Sequence, residues 1–181
     1  EALTHGGIAN NLKVNLIRIE SDFLKPSEMK NKLKGVSGIL IPGGFGKRGT
    51  EGKIAAINYA RLNKIPFLGI CFGMQMAVIE FARNKLNIKK ATSSEFGPSK
   101  ASVVGLMSEW TKNGKLMKGT DKDLGGTMRL GSYEARLKKD TKISKIYNAL
   151  KINERHRHRY EVNINYNCLL YTSPSPRDTV R

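Results

Sequence analysis

Short apolar runs alternate with amphipathic stretches along the first half of the chain. Apolar residues at 14–19, 38–41 and 66–70 predict three strands, the last of them fully buried. Helical spacing of apolar residues predicts helices at 26–33, 51–63 and 72–86, and residues 1–11 are predicted to end another helix. This order predicts an α/β fold whose open, mostly parallel sheet carries helices on both faces. The predicted inward residues are Ile54, Ile57, Ala60 and Leu62 in the middle helix, and Met74, Ala77, Val78, Phe81 and Ala82 in the last.

The pattern is less regular in the second half. Residues 103–110 are predicted to form a strand, and residues 127–130 and 133–137 two short antiparallel strands around Gly131. A helix is predicted at residues 141–148, and a charged turn followed by a strand at residues 154–162. The predicted inward residues of that helix are Ile143, Ile146 and Tyr147.

Composition limits the classes of protein to consider. The 181 residues suffice for one domain with a substantial core, and no apolar run is long enough for a membrane span. The two cysteines, Cys71 and Cys168, cannot form a disulfide framework, so we expect the reducing cytoplasm. The formal charge of +17 would attract nucleic acid, but the lysines are spread along the chain and no zinc-finger or RNA-binding signature appears. We therefore do not expect a nucleic-acid role.

The motif G-I-C-F-G at residues 69–73 is the strongest candidate for a catalytic site. It lies between a predicted strand and a predicted helix, the arrangement of a nucleophile elbow with Cys71 at the tip. Side chains at Gly69 and Gly73 would collide with the strand or the helix. The helix N-terminus would favour the Cys71 thiolate. The alternative is an inert cysteine buried in the core.

A second candidate feature is the glycine loop, which we define as residues 42–49. Its backbone N–H groups at Gly43 and Gly44, with the N–H of Phe72, could form an oxyanion hole, in which each donor contributes about 3 kcal/mol. The loop could instead bind phosphate, although neither common phosphate motif is present, or be a plain tight turn.

A base for Cys71 is not evident among the three histidines. His5 is predicted to be solvated at the end of a helix, whereas His156 and His158 alternate with arginines that oppose their protonation. We interpret that basic block as substrate-binding or structural.

Several sequence blocks together resemble one enzyme family. L-G-I-C-F-G-M-Q at residues 68–75 resembles the glutaminase elbow of class I glutamine amidotransferases. Four further blocks extend the resemblance to the C-terminal domain of the CTP synthase family, in the family's order, over residues 1 to about 167. The resemblance implies a flavodoxin-like class I amidotransferase fold, incomplete here. The further blocks are I-P-G-G-F-G-K-R-G-T-E-G-K at 41–53, S-E-F at 94–96, G-G-T-M-R-L-G at 125–131 and E-R-H-R-H-R-Y-E-V-N at 154–163.

The resemblance also implies an activity. Cys71 would hydrolyse L-glutamine through a thioester, and the ammonia would pass to an N-terminal amidoligase domain that aminates UTP to CTP. ATP and Mg²⁺ would belong to that other domain, and no cofactor or metal is expected in this one. GTP would be an activator, and the full-length enzyme a homotetramer.

The resemblance assigns residues to the glutamine pocket by position. Glu95 would hold the α-ammonium group and Arg159 the α-carboxylate, with Arg157 as a rival because the register of that block is not fixed. These roles suit a zwitterion, which needs one group of each sign. The complete implied set is Cys71 as nucleophile, Gly44 and Phe72 as the oxyanion hole, and Gly44, Phe72, Gly73, Met74, Gln75, Glu95 and Arg159 as glutamine-binding residues.

Two departures from the family pattern matter. The family's base and its orienting carboxylate lie in a late His-x-Glu motif, and no His-x-Glu occurs in these residues. Residues 168–181 resemble translated adapter sequence, so we expect a partial amidotransferase domain at 1–167 that is truncated at both ends. Such a piece would have little or no glutaminase turnover. The alternative is a non-catalytic member of the fold that binds or regulates.

Overall fold

The computed structural model describes residues 1–106, 109–112, 115–118 and 128–166. Within them, no helix is long and apolar enough to cross a membrane. The helices are α1 (Ala2–Ala9), α2 (Met29–Lys32), α3 (Thr50–Leu62), α4 (Phe72–Asn84) and α5 (Lys142–Tyr147). The strands are β1 (Ile39–Ile41), β2 (Phe67–Gly69), β3 (Thr92–Ser93), β4 (Ser102–Leu106), β5 (Glu109–Lys112), β6 (Lys115–Lys118), β7 (Arg129–Arg136), β8 (Lys151–His158) and β9 (Tyr160–Val162).

The strands β1 and β2 form the parallel pair that positions the cysteine. They pair in register, with Ile39 opposite Phe67 and Ile41 opposite Gly69. The helix α3 connects them, and α4 leaves directly from the end of β2. This β–α–β–α order confirms the predicted α/β class with parallel strands and packed helices.

The main core lies between α4, β1 and β4. Ile41, Phe72, Met76 and Ile79 are all buried there, together with Val103 and Val104 of β4. The predicted inward face of α4 was wrong at Met74, whose exposed fraction is 42%, and right at Ala82. Because this helix is apolar around most of its circumference, two overlapping faces fit the helical spacing, and packing selects the one through Met76. Leu62 of α3, predicted inward, is 67% exposed, whereas Ile54, Ile57 and Ala60 are buried.

Residues 14–19 do not form the predicted strand. No strand is assigned there, and Leu16 and Ile17 are largely exposed. A cavity of about 1360 Å³ is lined by this segment and β1, and no strand among the described residues pairs with the segment. Leu68 of β2 also borders this cavity and is half exposed, which contradicts the prediction of a fully buried strand.

The second half contains more antiparallel pairing than predicted. The strand β4 pairs with β3 in parallel and with β9 antiparallel. Residues 127–137 were predicted to be two strands, but β7 runs unbroken through Gly131 and pairs with β8 along its whole length. Gly131 has a φ of +107°, a conformation that glycine adopts without ending the strand. Of the predicted strand at 103–110, residues 103–106 lie in β4 and residues 109–110 in β5, and residues 107–108 lie outside the described residues. The strand β5 pairs with β6.

The helix α5 has a different inward face from the predicted one. Ile143, Ile146 and Tyr147 are exposed, and the buried residue is Ser144. Ser144 donates its backbone N–H to the side chain of Thr141, the N-cap, at 3.3 Å. The N-cap therefore sets the orientation of this short helix, whereas burial of its apolar residues does not.

A buried ion pair connects the two long helices. Arg61 of α3 donates to both carboxylate oxygens of Glu80 on α4 at 2.8 to 3.1 Å. Asn84 donates to the same carboxylate at 3.1 Å, and the Glu80 side chain is only 2% exposed. Because each charge is paired and hydrogen-bonded, removing one partner leaves the other unsatisfied.

We predict that Glu80→Gln lowers the free energy of unfolding by about 3 kcal/mol, because it breaks a buried pair. The matched control is Glu51→Gln, which breaks the pair with Arg83 where the Glu51 side chain is 74% exposed. That change should cost less than about 1 kcal/mol. Urea unfolding of both variants measures the difference, and equal losses would contradict the prediction.

Candidate active site around Cys71

Cys71 lies at the tip of a tight bend between β2 and α4. It is half-buried, with backbone angles φ 53° and ψ −105°, a region that non-glycine residues rarely adopt. The bend is held by two backbone hydrogen bonds of 2.9 Å, from the Ile70 N–H to the Ile41 carbonyl and from the Gly73 N–H to the Ile70 carbonyl. The chain therefore presents a strained cysteine at a strand-to-helix turn, as the nucleophile elbow requires.

Both flanking glycines are required by close backbone contacts. A Cβ atom on Gly69 would lie 2.6 Å from the Gly73 carbonyl carbon, and one on Gly73 would lie 2.1 Å from the Ile41 oxygen. Neither contact could be relieved by rotating a side chain, because the opposing atoms are backbone. The predicted reason for these two glycines is thus confirmed.

The glycine loop lies beside the cysteine. A Cβ atom on Gly43 would lie 3.5 Å from Cys71 Cβ and 3.9 Å from Cys71 Sγ, and one on Gly44 would lie 3.9 Å from the Phe72 ring. In the described part of the chain, the N–H groups of Gly44 and Phe72 have no hydrogen-bond acceptor. Among the described residues, two N–H donors without an acceptor therefore belong to the loop beside Cys71 and to the residue that follows it, and donors of this kind are what an oxyanion requires.

The first turn of α4 has buried and exposed residues. Phe72, Gly73 and Gln75 are buried, and Met74 is half exposed. The Gln75 side chain donates from Nε2 to the Tyr160 carbonyl at 2.9 Å, so that amide already has a structural partner in β9. This bond ties the first turn of α4 to β9, and the glutamine-binding role of Gln75 stays a prediction.

Glu95 reaches the glycine loop from a different part of the chain. It lies in the short turn Ser94–Phe96, whose N-cap Ser93 accepts the Glu95 N–H at 3.2 Å. One carboxylate oxygen, Oε1, accepts the Gly46 N–H at 2.6 Å. The predicted ammonium-binding carboxylate is thus brought to the loop that flanks Cys71.

The two candidate arginines occupy different positions. Arg157 lies on the exposed face of β8, whereas Arg159 lies partly buried in the bend between β8 and β9. The Nε atom of Arg159 is buried and has no partner among the described residues. Arg159 also directly precedes Tyr160, whose carbonyl is bonded to Gln75. Of the two, Arg159 is the one next to the elbow helix.

The histidines do not reach the cysteine. His5 is exposed on α1, and no hydrogen bond joins Cys71 Sγ to a histidine in the residues that the structure describes. The Nδ1 atoms of His156 and His158 are 3.2 Å apart on β8. Burial, followed by the charge of Arg129, holds the pKa of His156 below its usual value. Burial, then His156 and Arg129, does the same to the pKa of His158.

Arg129 is a residue of this region that sequence reasoning missed. Its guanidinium lies 5.2 Å from the centre of the Tyr133 ring, and its Nε is buried without a partner among the described residues. Burial raises the pKa of Glu161, and Arg129 partly opposes that shift. The pairing of β7 with β8 brings Arg129 opposite His158, and no motif in the sequence predicts that pairing. Across the described ranges, no cluster of three or more His, Cys, Asp or Glu side chains could hold a metal ion.

Comparison with known proteins identifies the family. The sequence model of the class-I glutamine amidotransferases matches residues 1–179. The chain belongs to this family. It is 72% identical over 157 residues to the CTP synthase of Pelagibacter ubique, which covers 87% of this chain and 29% of that protein. It is 58% identical over 183 residues to the CTP synthase of Rhizobium johnstonii, covering 97% of this chain and 34% of that protein.

A solved structure supports the same assignment. This class-I amidotransferase is similar to the glutaminase domain of Trypanosoma brucei CTPS with bound acivicin, with a TM-score of 0.78 and 38% identity. The match covers 92% of this chain and 62% of that one. The resemblance to the CTP synthase glutaminase domain and the predicted fold class are thereby confirmed. Residues 168–181 lie outside the described residues, so their assignment as a foreign tail stays a prediction.

We predict that Gly73→Ala lowers the free energy of unfolding by at least about 2 kcal/mol, because the added methyl group overlaps backbone atoms of β1. The control is Gly6→Ala in α1, where a Cβ atom has nothing within 4 Å. That change should be neutral, or stabilising by up to about 1 kcal/mol through helix propensity. Thermal unfolding compares the two variants. If Gly73→Ala unfolds at the same temperature as the unmodified chain, the close contact with β1 is disproved.

Proposed function

We propose that this chain is the glutaminase domain of a glutamine-dependent CTP synthase and that Cys71 is its nucleophile. The sulfur attacks the side-chain amide carbon of L-glutamine, and the carbonyl electrons move to oxygen. Collapse of this intermediate expels ammonia and leaves a thioester, which water hydrolyses to glutamate. The observation that carries the proposal is the strained Cys71 bend beside the free N–H groups of Gly44 and Phe72.

The two charged groups of L-glutamine account for the proposed roles of Glu95 and Arg159, which lie far from Cys71 in the sequence. In this proposal the α-ammonium group binds Glu95, and the α-carboxylate binds Arg159, whose buried Nε lacks a partner in the described chain. Arginine matches a carboxylate with two parallel hydrogen bonds, which fixes the orientation of the amino acid. Arg157 is the weaker candidate because it lies on the exposed face of β8.

The product ammonia would serve a second domain. The chain spans about a third or less of the length of the curated CTP synthases cited above, so the complete reaction is a proposal by similarity. In that reaction an amidoligase domain would use ATP and Mg²⁺ to activate UTP, and the ammonia would convert it to CTP. Activation by GTP, a homotetrameric assembly and a cytoplasmic location belong to the same proposal.

The proton transfers need a base that these residues do not supply. None of the three histidines begins a His-x-Glu motif, and His156 and His158 are surrounded by arginines. We therefore propose that this polypeptide forms the covalent adduct but turns over slowly or not at all. A second candidate is a non-catalytic binding or regulatory domain, in which Cys71 is retained but the pocket only binds.

We predict that acivicin, an amino acid with an electrophilic ring, modifies Cys71 in the purified 181-residue chain while ammonia release from glutamine stays near background. Peptide mass spectrometry locates the adduct, and a coupled ammonia assay measures turnover. Cys71→Ser is the control and should lose the adduct. Labelling at Cys168 instead, or no labelling, would favour the non-catalytic candidate. Ammonia release at a rate of about 1 s⁻¹ or more, typical of enzymes, would refute the claim that the base is missing.

We also predict that Arg159→Ala slows Cys71 labelling by acivicin about 10- to 100-fold, the value of a charge-assisted hydrogen bond to the carboxylate. Arg157→Ala is the matched control, because it removes the same charge two residues away on the exposed face. Its labelling rate should stay close to that of the unmodified chain. The reverse order would assign the carboxylate to Arg157.

A further inference from the structure

The glycine loop is held weakly at the end nearest Cys71. For residues 42–46, the hydrogen bond from the Gly46 N–H to Glu95 is the one such contact that the described chain provides. Phe45 is 91% exposed, so packing does not hold that part of the loop either. The far end has its own contacts, from Arg48 to Asp22 and from Lys53 Nζ to the Arg48 and Gly49 carbonyls, both at 3.4 Å. The position of Gly43 and Gly44 therefore depends on the contact with Glu95.

The turn that carries Glu95 is itself rigid and contacts the other side of the elbow. Ser93 is fully buried and caps the turn, and the Gly97 N–H closes it on the Ser94 carbonyl at 3.3 Å. Phe96 packs edge-on against Phe72, with ring centres 6.2 Å apart. One turn thus contacts both elements that carry the free N–H donors, the loop through Glu95 and the start of α4 through Phe96.

We infer that Glu95 is a positioning residue for the oxyanion hole, in addition to its contact with the substrate ammonium. Oε1 holds the Gly46 N–H and so keeps the Gly44 N–H directed towards the reacting carbonyl oxygen. Oε2 has no partner in the described residues and remains for the ammonium group, since a carboxylate accepts several hydrogen bonds. Recognition of an amino acid and assembly of the oxyanion hole therefore share one side chain. This inference rests on the proposed glutaminase site.

The test separates the two roles with a substrate that has no ammonium group. p-Nitrophenyl acetate acetylates a cysteine when the thiolate adds to the ester carbon, forms an oxyanion, and expels p-nitrophenolate to leave an acetyl thioester. Iodoacetamide alkylates the same sulfur by displacing iodide, without an oxyanion. The ratio of the two rates at Cys71, measured by peptide mass spectrometry in the full 181-residue chain, reports the oxyanion hole alone.

Three variants provide the comparison. Glu95→Ala removes both the charge and the hydrogen-bond acceptor, and should slow acetylation about tenfold or more with the alkylation rate unchanged. Glu95→Gln keeps an oxygen for the Gly46 N–H, so it should retain the acetylation rate while losing acivicin labelling. Ser94→Ala is the matched control in the same turn, because its hydroxyl has no partner in the described chain. It should change neither rate.

Other outcomes would overturn the inference. If Glu95→Ala leaves acetylation unchanged, the residue binds ammonium only. If it slows alkylation and acetylation equally, the effect is a general disturbance of the elbow. If Glu95→Gln is as slow as Glu95→Ala, the hydrogen bond does not hold the loop. Failure of acivicin to label Cys71 in the unmodified chain would refute the proposed function and leave the acetylation result to judge the positioning role.

Discussion

The geometry of the site depends on one backbone contact, between the Ile41 carbonyl of β1 and the elbow. That oxygen accepts the Ile70 N–H at 2.9 Å and leaves no room for a Cβ atom on Gly73. Ile41 ends β1 and directly precedes the glycine loop, so it fixes where the loop starts beside the elbow. Glu95 then holds the loop farther along, at Gly46. Close packing at Ile41 leaves little room to shift the start of the loop relative to the elbow.

Contacts from distant parts of the chain bring the other candidate site residues to the elbow. Gln75 bonds the Tyr160 carbonyl, and this contact brings the bend containing Arg159 to the first turn of α4. Glu95 bonds Gly46 from the turn that follows β3. Phe72 directly follows the nucleophile in the sequence, whereas Gly44, Glu95 and Arg159 all come from distant parts of the chain. Folding of β4 and β9 is thus a condition for recognition but not for the strained bend itself.

The sequence predicted best where a rule acts locally. The requirement for Gly69 and Gly73, the helix α3 and the position of Cys71 all follow from short-range sterics and periodicity. Prediction from the sequence failed where the conformation or burial of a segment depends on which other element packs against it. Residues 14–19 have strand propensity but face a cavity instead of a partner strand. The inward face of α4 could not be chosen from spacing alone, because what packs against Met76 comes from β1 and β4.

The site residues were likewise predictable where a local motif marks them and not where long-range packing places them. Cys71 and the glycine loop were evident from their motifs, but nothing local distinguishes Arg157 from Arg159. The alternation along β8 exposes one and the bend before β9 partly buries the other. Likewise, the contact of Glu95 with Gly46 joins two loops that are far apart in sequence, and no periodicity encodes it.

The charge around the β7–β8 hairpin suits binding better than proton transfer. A histidine that acts as general base becomes positively charged when it accepts the thiol proton. Burial and the charge of Arg129 hold the pKa values of both His156 and His158 below their usual range, so protonation there is disfavoured. The charge of Arg129 has the opposite effect on a carboxylate, which it attracts, although burial opposes this attraction and raises the pKa of Glu161. The charge near β7 and β8 therefore disfavours a histidine base and favours a negatively charged group.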